Sequence, residues 1–457
     1  MIKLPHERNT DYEAIEHDIA GLRSPGAMCE FYAEIIERYT RLDEKYLFSE
    51  SFDRDYVFAQ LEESWSRRGR ELFGIPFGVK DVFNTKRLPT TMGSDIWKGF
   101  RAGNNARVVD EIADRGGIIF SKTTTAEFAV HYIQAGRTRN PHDPTRITGT
   151  SSAGSAVAVA CGALPICLGT QTAGSIMRPA SFCGVYGFKP SFGAFDRTGT
   201  LKTTDTLDTI GLLGSDIYGL RKTFLAAFQK DPQYPFAKNY FDRLRSFRSK
   251  AKLRIGVIAE QFAGYTAYDS LVRTDFGRVI ELLSVGDREL ARVDRISFIN
   301  DIHSLHQRIY CKSLAYYFQH EFSQRDRMSD IMKEMIRLGN EVSTEQYVEA
   351  LKQQPRLRAQ FDAAFAGHDF LVTPSTASVA PRIGEREKDD TCLIWTFLGY
   401  PVLSVPAFWS SDHNLPVGLQ LVGPRYSDLA LLEFGDTVVR VLREETRSLS
   451  SVEVTTH

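Results

Sequence analysis

The stretch that decides the fold runs from residue 149 to 191 and reads GTSSAGSAVAVACGALPICLGTQTAGSIMRPASFCGVYGFKPS. It lies in a longer window, residues 147–177, that contains no charged residue and no histidine, although 25% of the chain is charged. At that average the window would hold about eight charges. A membrane span needs about 20 predominantly apolar residues, and this window contains too many Ser, Thr and Gly residues to be one. The window is therefore predicted to be a loop system inside a folded domain.

Two hydroxyl-rich loops mark the ends of this window, GTSSAGS at 149–155 and GTQTAGS at 169–175. Small residues leave backbone N–H groups uncovered, and such groups can bind an anion or a developing oxyanion. Two tight turns in a buried loop explain the composition equally well. A nucleophilic serine would need a base from outside the window. Neither loop has the G-x-S-x-G elbow of α/β-hydrolases, and no phosphate-binding GK[ST] follows a glycine run.

A candidate base is Lys80, the last residue of the apolar run GIPFGVK at 74–80. A lysine at a strand end usually extends into water. Alternatively, a site of low dielectric constant would favour the neutral amine and make it a base. A second candidate pattern, His303 and His306 in HxxH, has no carboxylate ligand pattern nearby, so it is interpreted as a solvated helix face and no metal site is predicted.

The rest of the chain alternates between short apolar runs and helical patterns. The runs are bounded by Gly or Pro and lie at 74–79, 116–121, 253–257, 369–373, 401–405 and 418–422. This alternation predicts an α/β fold, one large domain with a mixed, twisted sheet covered by helices on both faces. Residues 1–70 are predicted to be a helical segment packed on a core of residues 71–457, with a more variable helical region at about 215–350.

Composition excludes several classes of protein. The 56 basic and 57 acidic residues leave a net charge of −1, which selects neither nucleic acid nor an anionic membrane as a partner. The first 18 residues have no apolar core of signal-peptide length, and the six cysteines form no CxxC pair. A cytoplasmic protein with reduced, mostly buried thiols is expected.

Several motifs of this sequence resemble those of the amidase signature family of serine amidohydrolases. The resemblance rests on Lys80 after GIPFGV and on the 149–191 stretch, and it extends along the chain. It includes KTTTAEFA (122–129), TRNPHDP (138–144), LDTIGLLG (207–214), FLVTPSTASVAP (370–381), GYPVLSVPA (399–407) and LPVGLQLVG (415–423). It thus covers nearly everything beyond the N-terminal helices.

The resemblance implies a Ser–cisSer–Lys triad that needs no metal or organic cofactor. By motif position the nucleophile is Ser175, the bridging serine is Ser151 and the base is Lys80. The N–H groups of Thr172, Ala173, Gly174 and Ser175 would form the oxyanion hole. Because the window is uncharged, the neighbourhood of Lys80 is expected to offer no carboxylate that would hold its amine protonated.

This chain departs from the commonest family pattern at a few positions. Thr150 precedes the bridging serine where glycine is usual, Ala173 lies in the oxyanion loop, and Met177 replaces an arginine, with Arg178 following it. These changes resemble a subgroup of small-amide hydrolases that includes malonamidase-type enzymes. Arg178 is accordingly a candidate for binding the carboxylate of a small acidic amide, and a structural ion pair is the competing interpretation.

The expected partner is a small-molecule amide, with no nucleic acid and no membrane, and a homodimer is possible. Two other classes of function stay open. One is the glutaminase-type amidase subunit of a tRNA-dependent amidotransferase, which frees ammonia for a partner protein. The other is a catalytically silent binding protein on the amidase scaffold.

Overall fold

The computed structural model describes residues 10–130, 136–228, 253–258, 268–286, 288–293, 301–385, 387, 391–410 and 412–454. Within this part of the chain, β-strands form one eleven-stranded sheet. The strands are β1 Ser49–Phe52, β2 Pro76–Lys80, β3 Ile118–Thr123, β4 Ile166–Gln171, β5 Tyr186–Lys189, β6 Thr209–Gly214, β7 Leu253–Val257, β8 Arg288–Arg292, β9 Phe370–Pro374, β10 Val402–Ser410 and β11 Leu415–Val422.

Helices alternate with these strands along the chain. They are α1 Tyr12–Gly21, α2 Pro25–Tyr46, α3 Arg54–Trp65, α4 Arg107–Asp114, α5 Ala153–Ala160, α6 Met177–Cys183, α7 Ile217–Ala227, α8 Ser270–Leu283, α9 Ile302–Tyr317, α10 Gln319–Phe322, α11 Asp330–Glu341, α12 Thr344–Phe365, α13 Leu393–Leu398 and α14 Asp428–Val454.

The sheet is mixed, as the sequence predicts. Its strand order is β1-β3-β2-β4-β6-β5-β10-β11-β9-β7-β8. The pairs β2–β3, β2–β4, β7–β8 and β7–β9 are parallel, whereas the remaining neighbours are antiparallel. The α/β fold with a single large domain is therefore confirmed.

Each of the six apolar runs becomes a strand. All of these strands except β7 are almost entirely buried, and a strand that is buried on both faces is apolar throughout. β4 lies inside the uncharged window, where the many small residues gave no strand signal. The N-terminal segment contains a strand as well as helices: β1 pairs antiparallel with β3 and adds an edge to the sheet. The region at 215–350 likewise contains β7 and β8 besides its helices.

The core of the domain is continuous from the first helix to the last. One cluster of buried apolar side chains extends from Tyr12 in α1 to Leu442 in α14. None of the helices that the structure describes is both long enough and apolar enough to cross a membrane.

Candidate active site

The candidate site forms where two parallel strands end. β2 and β4 are paired in register, with Phe77 opposite Ile166 and Val79 opposite Leu168. Parallel neighbours bring their carboxyl ends to the same edge of a sheet. Lys80, the last residue of β2, therefore lies beside Thr170 near the end of β4.

Lys80 is in contact with the predicted bridging serine. Its Nζ lies 2.7 Å from Ser151 Oγ and 2.8 Å from Thr170 Oγ1. Lys80 and Ser151 are both fully buried. Burial lowers the pKa of Lys80 well below its ordinary value, because the ammonium form loses its hydration. The structure thus favours the base interpretation of Lys80 over a lysine that extends into water.

Ser151 and Ser175 lie on two loops that touch each other. The peptide bond between Thr150 and Ser151 is cis, as the family resemblance implies. The Ser152 N–H donates to the Ser175 carbonyl at 3.2 Å, and Ser152 Oγ donates to the Thr170 carbonyl at 3.2 Å. Ser175 is buried except for 6% of its surface. The loop that carries Ser175 therefore lies against the loop whose Ser151 hydroxyl contacts Lys80.

The backbone N–H groups of the loop from Thr172 to Ser175 are the candidate oxyanion donors. Gln171 Oε1 accepts the N–H groups of Ile176 and Met177 at 2.7 and 3.0 Å, which satisfies donors at the start of α6. In the part of the chain that the structure describes, the N–H groups of Ala173, Gly174 and Ser175 donate to no protein group. Such a row of uncommitted donors is what an oxyanion hole requires.

Arg178 is held by an acidic side chain from a distant loop. Its Nε donates to the Thr150 carbonyl at 3.3 Å, and its Nη1 lies 3.4 Å from both carboxylate oxygens of Glu387. The side chains of this ion pair are only 5% and 11% exposed. Arg178 therefore forms the structural ion pair that was the competing interpretation of this residue. The ion pair lies next to the Thr150–Ser151 peptide.

The expectation that no carboxylate acts on Lys80 was wrong. Asp208 raises the pKa of Lys80, against the larger lowering effect of burial. Its carboxylate accepts the hydroxyls of Thr172, Thr203 and Thr204 at 2.6–2.9 Å. Asp208 lies 31 residues beyond the uncharged window, so only the antiparallel pairing of β4 with β6 brings it close.

His306 was also misjudged from sequence as a solvated residue. It is buried, and its Nε2 donates to the Thr172 carbonyl at 2.9 Å. Because a carbonyl can only accept, that ring nitrogen carries the proton. The described residues contain no cluster of His, Cys, Asp and Glu that could hold a metal ion.

A buried ion pair lies beside Lys80, and residue order alone does not reveal it. Lys122 Nζ and Asp81 Oδ1 are 2.9 Å apart, and both side chains are fully buried. Lys122 also donates to the Phe83 carbonyl and to Thr90 Oγ1 at 2.8 and 2.7 Å. Lys122 is the first residue of the KTTTAEFA motif, so the family resemblance was the only feature of the sequence that could have drawn attention to this ion pair. The pair joins the ends of β2 and β3 just beyond the candidate base.

Two cavities open beside these loops. One of ≈ 650 Å³ is lined in part by Thr148, Thr150 and Ala153 from the loop that carries Ser151. The other, of ≈ 260 Å³, is lined in part by Thr170 and Thr172. The buried Lys80 amine can exchange a proton with the Ser151 hydroxyl that it contacts, and the N–H groups of the adjacent loop can stabilise an anion.

Comparison with known proteins identifies relatives of this arrangement. The family model described as Amidase matches residues 31–432. The A subunit of glutamyl-tRNA(Gln) amidotransferase from Thermobifida fusca is 31% identical over 417 residues, which cover 82% of this chain and 83% of the relative. Its counterpart from Archaeoglobus fulgidus is 30% identical over 443 residues, covering 89% and 94%. A crystal structure of an amidase superposes with a TM-score of 0.80 at 26% identity, covering 93% of this chain and 97% of that one.

Proposed function

The chain belongs to the amidase family and is an amidase-signature hydrolase, and we propose that Ser175 is its nucleophile, Ser151 its bridging residue and Lys80 its base. The observation that carries the proposal is the contact of 2.7 Å between a fully buried lysine amine and the Ser151 hydroxyl. A lysine that is neutral at working pH can accept the hydroxyl proton of Ser151, which a charged ammonium cannot.

The reaction would then proceed in two halves. Ser175 Oγ attacks the amide carbonyl carbon and passes its proton to Ser151, whose own proton moves to Lys80. The N–H groups of Thr172, Ala173, Gly174 and Ser175 stabilise the oxyanion. The C–N bond breaks as the nitrogen takes a proton back from Ser151, which leaves an ester on Ser175. Water then attacks this acyl-enzyme through the same relay and releases the acid.

Labelling with a fluorophosphonate tests the proposed nucleophile. We expect labelling of the wild type, none of Ser175→Ala, and strongly slowed labelling of Ser151→Ala and Lys80→Met, because these variants lose the relay. Ser155→Ala is the matched control: Ser155 is a buried serine of the same segment whose Oγ bonds Thr123 and the Leu168 carbonyl, away from the relay. A wild type that stays unlabelled while a reference serine hydrolase reacts would support the silent-scaffold alternative instead.

A glutaminase subunit of an amidotransferase is the more specific function that the relatives favour. The two amidotransferase relatives named above each align over more than four fifths of this chain. In this case the amide is the side chain of glutamine, and ammonia passes to a partner subunit. The measurement is the release of glutamate from L-glutamine by the chain alone and together with the other amidotransferase subunits of its own host. Turnover that depends on those subunits would support this function, and turnover of other amides in their absence would contradict it.

A small amide bearing a carboxylate remains the substrate suggested by Arg178, and it has less support. Glu387 already neutralises the guanidinium, so a substrate carboxylate would have to displace it. The test compares the half-amide and the diamide of one dicarboxylic acid. If Arg178 faces the substrate, Glu387→Gln is expected to raise kcat/KM for the half-amide relative to the diamide about tenfold or more, since a freed, buried guanidinium attracts a carboxylate strongly.

Glu385→Gln serves as the matched control, because Glu385 lies in the same loop but is exposed and accepts the N–H of Arg382. A ratio of half-amide to diamide turnover that is the same in the wild type and in Glu387→Gln would leave Arg178 with a purely structural role.

A further inference from the structure

Every backbone carbonyl of the loop from Thr172 to Ser175 accepts a hydrogen bond. The carbonyls of Gly174 and Ser175 accept backbone N–H groups, from Arg178 at 2.9 Å and from Ser152 at 3.2 Å. The other two carbonyls are bound by side chains from distant helices. His306 Nε2 in α9 donates to the Thr172 carbonyl at 2.9 Å, and Thr396 Oγ1 in α13 donates to the Ala173 carbonyl at 2.7 Å.

These two side-chain bonds determine where two N–H groups point. A trans peptide unit is planar, so the carbonyl of one residue and the N–H of the next point in opposite directions. Holding the Thr172 carbonyl toward His306 turns the Ala173 N–H away from α9. In the same way, holding the Ala173 carbonyl toward Thr396 turns the Gly174 N–H away from α13. Both N–H groups are among those that donate to no protein group in the described chain.

The Thr396 hydroxyl also contacts Gln171, and this second contact is consistent with the hydroxyl being the donor to the Ala173 carbonyl. Gln171 Nε2 donates to Thr396 Oγ1 at 3.0 Å, so the hydroxyl proton is left for the Ala173 carbonyl. Both side chains are buried, with Thr396 at 0% and His306 at 4% exposure. A hydroxyl shielded from water cannot turn to a solvent partner, so the bond to the loop is the one that satisfies it.

From this geometry we propose that His306 and Thr396 are positioning residues that aim the Ala173 and Gly174 N–H groups at the oxyanion. The inference rests on the proposed role of Ser175 and adds two residues to it that neither the motifs nor the comparisons assign. Neither side chain would touch the substrate. Each acts through one carbonyl, so that the donors are already oriented when negative charge develops, which is where such preorganisation lowers the barrier.

The experiment uses saturation kinetics of fluorophosphonate labelling, which separate reversible binding of the probe (KI) from bond formation at Ser175 (kinact). Bond formation places negative charge on the phosphoryl oxygen, as amide attack does on the carbonyl oxygen. Thr396→Val removes the hydroxyl at nearly constant volume. We expect kinact to fall about 10- to 100-fold, less than the about 10²–10³ caused by deleting an oxyanion donor outright, with KI within about threefold of the wild type.

Rescue and matched controls distinguish positioning from packing. Thr396→Ser keeps the hydroxyl and is expected to restore kinact. Thr391→Val removes another buried hydroxyl, which donates to the Ser375 carbonyl at 2.7 Å outside the loop, and is expected to leave kinact unchanged. The melting temperature is recorded for each variant.

His306 provides an independent set of variants. His306→Leu removes the donor and is expected to lower kinact, whereas His306→Gln places an amide N–H near the position of Nε2 and is expected to restore it in part. His142→Leu is the control, because His142 Nε2 likewise bonds a carbonyl, that of Cys183, but away from the loop.

The outcomes separate this inference from the proposed function. An unlabelled wild type overturns the proposed function and this inference with it. If the wild type is labelled and both Thr396→Val and His306→Leu have the same kinact as the wild type, this inference alone is overturned. A loss of kinact that Thr396→Ser does not restore, or that Thr391→Val shares, assigns these side chains to general packing and also overturns it.

Discussion

Lys80 illustrates how the environment of one side chain sets its chemistry. Its amine is fully buried, and burial lowers its pKa because the charged form would lose its water. The Asp208 carboxylate acts in the opposite direction and raises that pKa. The balance between these two effects determines the pH range in which Lys80 is neutral. The pH at which activity is lost on acidification should therefore depend on it.

The first prediction follows from this balance. The proposed mechanism requires neutral Lys80, so activity should be lost as the pH falls through the lowered pKa of Lys80. Asp208→Asn removes the carboxylate that raises this pKa, so the acid limb of the profile is expected to move to lower pH. The measurement is the labelling rate against pH, normalised to the total amount of reactive protein so that partial unfolding does not count.

Asp196→Asn provides the comparison for this substitution. Asp196 is a neighbouring carboxylate that accepts the N–H and hydroxyl of Thr198 and is not among the groups that shift the pKa of Lys80. An acid limb that moves equally in both variants, or that moves to higher pH in Asp208→Asn, would refute the role assigned to Asp208.

At the scale of elements, the packing of α9 decides where His306 lies. Gly339 in α11 faces the backbone of α9: a Cβ at this position would lie 2.0 Å from the Cys311 carbonyl oxygen. The two helices can approach this closely only because the residue has no side chain. The position of His306 thus depends on a glycine 33 residues away in sequence.

The second prediction concerns this helix contact. Gly339→Ala forces α11 and α9 apart and is expected to lower the free energy of unfolding by about 1–3 kcal/mol, the usual cost of overpacking. The labelling rate should fall too, since α9 carries His306. Gly277→Ala is the matched control in α8, where a Cβ meets nothing within 4 Å, and it is expected to stabilise by about 0.5–1 kcal/mol. Urea unfolding checks both, and equal stability of the two variants would contradict the prediction.

At the scale of the whole molecule, the N-terminal segment is tied to the core at several points. The Tyr12 N–H donates to Ser215 Oγ and Asp216 Oδ2, both at 2.9 Å, and the Tyr32 hydroxyl donates to the Gly74 carbonyl at 2.6 Å. β1 extends the same sheet that holds the candidate site. The division at residue 70 is therefore expected to be a boundary in sequence and not a boundary between units that unfold separately.

The third prediction is a single cooperative transition in scanning calorimetry, accompanied by loss of fluorophosphonate labelling over the same temperature range. Separate unfolding of residues 1–70 would instead give a second transition at lower temperature, with labelling retained above it. The cytoplasmic location and the homodimer expected from the sequence remain predictions beside this one.

The sequence by itself determined the α/β class and the six apolar strands, and its motifs suggested the triad of Lys80, Ser151 and Ser175 that we propose, because apolar runs and motif residues are local properties of the chain. Only the tertiary structure decided what surrounds them. Asp208, His306, Thr396 and Glu387 reach the site through strand pairing and helix packing, which join positions up to 225 residues apart. Side-chain environment depends on such distant contacts, so a pKa, an ion pair or an oriented peptide could not be predicted from residue order alone.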